Sequence, residues 1–171
     1  WDSATHILAI VDYLFGPCQV VDARGSALAL REGSQDDFTA CEVEFTGGLL
    51  LPMVLSRFFP QKERSLVLGG TAGLAVFDDG EPEAKLKFFR SPYPTAPAVA
   101  PSSQFLALAP EQVQTPTVVW HEPLRNQVQH FLDCIAHERI PLTDVEHGLR
   151  ITQWLEFIDA RLTRVKPLPP A

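Results

Sequence analysis

Two residues with proton-transfer chemistry stand at the head of the chain. Asp2 and His6 lie four positions apart in DSATHILAIVDYLF, about one helical turn, so carboxylate and imidazole share a face. Imidazole, with an unperturbed pKa of about 6.5, is suited to take or give a proton near neutral pH. Asp2 can accept a hydrogen bond from the ring, and its charge favours the imidazolium. The same spacing also suits a solvated pair at a helix start, where the macrodipole favours the aspartate. Tyr13, about two turns beyond His6 on a similar face, is a candidate to line the same pocket or simply to pack with its hydroxyl in water.

Other constellations carry less. His130, Cys134 and His137 recur at i, i+4 and i+7, a spacing that can turn three ligands to one side of a helix, but they flank an apolar stripe and no fourth ligand is obvious beyond Asp133. No metal site is assigned. The glycines of GGTAG, 69–73, lie between two extended runs, whereas a dinucleotide fingerprint joins a strand to a helix, so no cofactor site is assigned either. A G-x-S-x-G nucleophile elbow is absent. Asp36-Asp37 and Asp78-Asp79 fall in turns, where carboxylates are usually solvated.

Composition sets the frame for that chemistry. The 171 residues are 46% hydrophobic and 20% charged, enough for one packed core. A net charge of -7 and a pI near 5.1 oppose binding to nucleic acid or an anionic membrane, which is driven by Lys and Arg. No apolar run reaches the roughly 20 residues that cross a bilayer. Cys18, Cys41 and Cys134 are scattered and odd in number, which predicts reduced thiols in a cytoplasmic protein. Met53 is the only methionine, and the chain is read as part of a longer polypeptide.

The elements follow from periodicity. Ile7, Ile10, Val11 and Leu14 recur at helical spacing over 2–15, and Gly16-Pro17 ends that helix. Extended runs are predicted over 19–30, over 41–46, through LLLPMVLSRF after Gly47-Gly48, and at RSLVLGG, GLAVFDD and AKLKFFR. The glycine pair must tolerate positive φ, and Pro52 places its strand at an edge or a bulge. Proline is dense over 91–117, which reads as a surface connection. Two helices close the chain: one striped by Leu124, Val128, Phe131, Leu132 and Ile135, the other opened by a capping box at Thr143 and Glu146 and burying Ile151, Trp154, Leu155, Ile158 and Leu162. The predicted fold class is α+β, a mostly antiparallel, open-faced sheet of about five or six strands with helices packed on one face. Val20, Val43, Phe45, Leu51, Leu55, Val67 and Val76 exceed what one covered face needs, which predicts a homodimer through the open face.

Four stretches in order, D-x-x-x-H with Leu14 and Gly16 behind it, VEFTGGLLLPMVLS, RSLVLGGTAGLAVF, and EPLRNQVQHFLDCIAHERIPLTDVEHGLRITQWLEFI, resemble the C-terminal domain of the Gfo/Idh/MocA oxidoreductases, the glucose-fructose oxidoreductase and inositol dehydrogenase family. The resemblance runs from Asp2 to about Arg164. It implies a single substrate-binding and dimerisation domain over 1–171, with 91–117 as a connection within it, cut from an enzyme whose N-terminal Rossmann half binds NAD or NADP. It implies His6 and Asp2 as catalytic residues and a sugar, polyol or nucleotide-sugar hydroxyl as the substrate, with no cofactor bound by this chain and no activity of the fragment alone. Where the family often has a further Asp three residues after the His, this chain has Ala9, and Ala4 replaces a common Gly. The competing expectation is a noncatalytic module for dimerisation or ligand sensing.

Overall fold

Local sequence signals build the first element as expected. Helix α1 runs Asp2–Phe15 and stops where Gly16, at φ +78, donates its N–H to the Asp12 carbonyl at 2.9 Å before Pro17. The structure, a computed structural model, describes residues 2–29, 36–60, 64–90 and 113–166, and the side chain of Asp2 is outside that set. Strands β1 (Val20–Leu28), β2 (Phe38–Phe45) and β3 (Leu49–Ser56) form an antiparallel meander. Gly47 and Gly48, at φ +84 and +80, make the turn between β2 and β3, a conformation that side chains with a Cβ rarely adopt. Pro52 sits opposite Glu42 on β3, which is the edge strand, so its missing N–H costs the ladder nothing.

After β4 (Ser65–Gly70), β5 (Gly73–Asp78), β6 (Leu86–Arg90) and β7 (Val113–Gln114) come helix α2 (Pro123–Ala136), helix α3 (Val145–Asp159) and a last strand, β8 (Leu162–Val165). The α+β class holds. Among the described residues eight strands divide between two sheets of four, β3-β2-β1-β8 and β4-β5-β6-β7, where the sequence pattern reads as one meander. Strand β8 pairs in parallel with β1, so the first sheet is mixed. The proline-rich residues 91–112 lie outside the described set.

The chain forms two compact units, one from the segments before Phe59 and after His121, the other from Phe59–His121. In the first unit, alternate residues of the sheet, among them Ala23, Ala27, Val43, Phe45, Leu51 and Met53, face α1 and α3. Phe45 meets Trp154 edge-on at 4.9 Å and 69°, near Leu8, Val11, Ile151 and Ile158. Each such side chain contributes roughly 1.5–3 kcal/mol on leaving water. The opposite sheet face carries Leu50, Pro52 and Val54 beside an exposed Arg24–Glu42 ion pair. The second unit is an antiparallel sheet with Val67 opposite Val76 and Phe89 opposite Val113. None of its described residues is fully buried.

Three local expectations change. The buried stripe of α1 is Ala4, Leu8, Val11 and Asp12, with Ile10 and Leu14 exposed, because α3 approaches the face that carries Asp12. Helix α2 forms with Glu122 as its N-cap, yet Leu124, Val128, Phe131, Leu132 and Ile135 are all more than half exposed and Cys134 is its one buried residue. The N-cap of α3 is Asp144, one residue later than Thr143: its Oδ1 accepts from the His147 N–H at 2.8 Å.

Candidate active site

Helix α1, the segment Leu142–Asp144 and the first turns of α3 enclose a cleft of about 620 Å³, a size that suits a small molecule. From α1 come His6, Ala9, Ile10, Asp12 and Tyr13, and from α3 come Glu146, His147 and Arg150. His6 and Tyr13 are exposed to it, as their helical spacing predicts. The Asp2 side chain is outside the described residues, so the expected Asp2–His6 pair rests on the backbone alone: both belong to α1, one turn apart.

Asp12 organises the cleft, and its side chain is only 5% exposed. Its carboxylate accepts from Arg150 twice, Nε to Oδ1 at 2.9 Å and Nη2 to Oδ2 at 2.8 Å, and from His147 Nδ1 to Oδ2 at 2.8 Å. The two-pronged guanidinium contact is the strongest geometry open to a carboxylate. Hydrogen bonding to Arg150 holds the Asp12 carboxyl below the usual carboxylate range, against burial, which pushes it up, and with help from His147. An ionised carboxylate is an acceptor only, so Nδ1 of His147 carries the proton of this contact. No buried side-chain nitrogen or oxygen among the described residues lacks a hydrogen-bond partner.

Asp12, His147, Arg150 and Asp144 are functional candidates that the spacing of Asp2 and His6 does not reveal. One signal was available: a carboxylate inside the apolar run ILAIVDYLF has to be paired if it is buried. Its partners lie 135 and 138 residues away along the chain, beyond any local pattern. Ala9 brings no carboxylate to the cleft wall, and Asp12, one turn further along α1, does.

The helical triplet in α2 has other employment. His130 Nε2 accepts from the Leu142 N–H at 3.1 Å and meets Cys134 Sγ at 3.6 Å, while His137 Nδ1 donates to the Asp133 carbonyl at 2.8 Å. The bond from Leu142 ties the connection between α2 and α3 back onto α2, while the other two contacts stay within α2 and its C-cap. Among the described residues no group of three His, Cys, Asp or Glu side chains is gathered to hold a metal ion. Gly69 and Gly73 lie on β4 and β5 of a hairpin, so no helix N-terminus follows them to receive a pyrophosphate, and this stretch does not fit a dinucleotide. Among the described residues no helix is long and apolar enough to cross a membrane.

The family model for the C-terminal alpha/beta domain of the Gfo/Idh/MocA oxidoreductase family matches residues 1–160. No curated protein sequence matches the chain. Among solved structures, UDP-N-acetylglucosamine 3-dehydrogenase GnnA from Acidithiobacillus ferrooxidans superposes with a TM-score of 0.73 at 16% identity, over 93% of this chain and 45% of its own. Aldose-aldose oxidoreductase from Caulobacter crescentus, complexed with glycerol, gives 0.66 at 16% over 92% and 43%. The WlbA dehydrogenase from Bordetella pertussis, in complex with NADH and UDP-GlcNAcA, gives 0.58 at 17% over 99% and 45%. At these identities the likeness is one of fold, and the chain spans less than half the length of each structure.

Proposed function

Because this chain belongs to the Gfo/Idh/MocA oxidoreductase family as its C-terminal alpha/beta domain, we propose that it is the substrate-binding and dimerisation half of an NAD(P)-dependent oxidoreductase acting on a hydroxyl of a sugar, polyol or nucleotide sugar. The observation that carries this reading is His6: an exposed imidazole on a cleft of fitting volume, at the family's D-x-x-x-H position. A ring nitrogen of His6 takes the hydroxyl proton as the carbinol is oxidised, and Asp2 steadies the imidazolium that results. Tyr13 lines the far end of the same helical face and offers its hydroxyl to the ligand. The dinucleotide belongs to the other half of the proposed parent, and the fragment alone is expected to be inactive. The chain's own share of the reaction is to bind the ligand and move the proton.

The exposed apolar face of α2 supports the reading that more protein covers this domain, because Leu124, Phe131 and Ile135 are 63%, 57% and 61% exposed. Leu50, Pro52 and Val54 on the open sheet face support a homodimer there. Three free thiols, Cys18, Cys41 and Cys134, accord with a cytoplasmic location. The test is a nicotinamide-reduction assay of the full-length protein against polyols, aldoses and nucleotide sugars, beside His6→Ala, with sedimentation to measure the oligomer. Turnover lost in His6→Ala supports the reading; turnover that survives the substitution, or a monomer, removes the corresponding half of it.

A further inference from the structure

The cleft contains a second imidazole with its own support. His147 occupies the third position of α3, where the Asp144 side chain holds its backbone N–H at 2.8 Å and Asp12 holds its ring at Nδ1, also at 2.8 Å. Arg150, two-pronged on the same carboxylate, keeps Asp12 from swinging away. Backbone and ring are thus fixed from two directions by α1 and by the N-cap of α3. With the Nδ1 proton committed to Asp12, the other nitrogen of a neutral ring is a bare acceptor. Nε2 makes no hydrogen bond to a described residue, and among the described residues no buried side-chain nitrogen or oxygen is left without one, so this nitrogen meets the water of the cleft.

We infer that His147 is a second ligand-contacting residue of this cleft, its Nε2 accepting a hydrogen bond from a hydroxyl other than the one His6 deprotonates, so that the site selects ligands bearing at least two hydroxyls. The inference rests on the reading of the cleft as the substrate site. A single unbranched alcohol satisfies one imidazole only and leaves the other acceptor to water, whereas a polyol or sugar satisfies both. A site built to bond a hydroxyl rejects the analogue that lacks it, because the held acceptor goes unpaired once the ligand has displaced its water. Asp12 and Arg150 act through His147 and are positioning residues.

The experiment uses the full-length protein with ¹⁵N-labelled histidine rings, myo-inositol and UDP-N-acetylglucosamine as probes, and singly deoxygenated analogues of whichever probe binds. Before ligand, His147 should show a protonated Nδ1 and a bare Nε2. On titration that Nε2 resonance should move with the same saturation as His6. Affinity should fall about tenfold in His147→Gln, and removing one particular hydroxyl from the ligand should weaken wild-type protein but not His147→Gln. Asp12→Asn, which keeps the imidazole but loosens its anchor, should weaken binding while retaining part of that hydroxyl preference. A proton on Nε2 in the free protein, or a His6 response without one from His147, overturns the inference and leaves the proposed function standing. No response from either ring to either probe overturns both.

Discussion

Replacing Asp12 by alanine removes the acceptor of three hydrogen bonds at once, two from Arg150 and one from His147. Bonds to a charged group contribute roughly 1.5–3 kcal/mol each when probed singly, but three on one carboxylate are not additive. Breaking a fully buried ion pair costs about 3–5 kcal/mol. Here the Arg150 side chain is 30% exposed and regains water when its partner is lost, which places Asp12→Ala near the lower bound, about 3 kcal/mol. For a chain of this length that corresponds to a fall in Tm of roughly 6–12 °C, measured by circular dichroism, with urea titration as a second reading. A double-mutant cycle with Arg150→Ala should return a coupling of at least about 1.5 kcal/mol. The pH dependence has a fixed sign. The Asp12 carboxyl is held below its ordinary range in the folded state, so its contribution is present above the unfolded value of about 3.9 and is lost as pH falls through the lower folded value. The stability gap between wild type and Asp12→Asn should therefore hold from neutrality to about pH 4 and close below it. A loss under about 0.5 kcal/mol, an absence of coupling, or a gap that persists into strong acid would refute the argument.

Three further outcomes follow from packing. A Cβ at Gly25 would lie 2.3 Å from the Ala40 carbonyl oxygen and 2.6 Å from Cys41 Cα; because backbone of the neighbouring strand cannot yield cheaply, Gly25→Ala should lower stability by about 3 kcal/mol in urea unfolding. Trp154→Ala, which leaves Phe45 facing a void beneath α3, should cost about 3–5 kcal/mol by the same measurement, and a loss below about 1 kcal/mol would show that the site collapses freely. Burial pushes the Cys41 thiol up, so a thiol reagent at pH 8 should modify it only as fast as the protein unfolds, which mass spectrometry of timed samples will read.

Whatever depends on neighbours a few residues apart was legible in the sequence. The spacing of DSATHILAIVDYLF and its Gly16-Pro17 stop define α1, and Gly47-Gly48 between alternating runs defines the β2–β3 turn, because helix stops and tight turns are decided by local backbone preferences. Pro52 carries its edge position in its own chemistry, since a residue without an N–H is unsuited to a ladder paired on both sides. The same locality explains why His6 and Tyr13 reach one cleft from one helix. Tertiary structure decided the rest. Thr143 and Asp144 are both competent caps, and in the fold it is Asp144 whose side chain accepts from the His147 N–H. The pairing of β8 beside β1, the division of the strands into two sheets, and the stripe of α1 that turns inward are chosen by what can pack together across the whole chain. Asp12 shows the limit most plainly. Alone in an apolar run it is a costly charge, and it becomes the anchor of the cleft only because folding brings Arg150 and His147 across 138 and 135 residues to neutralise and bond it, a compensation no local pattern encodes.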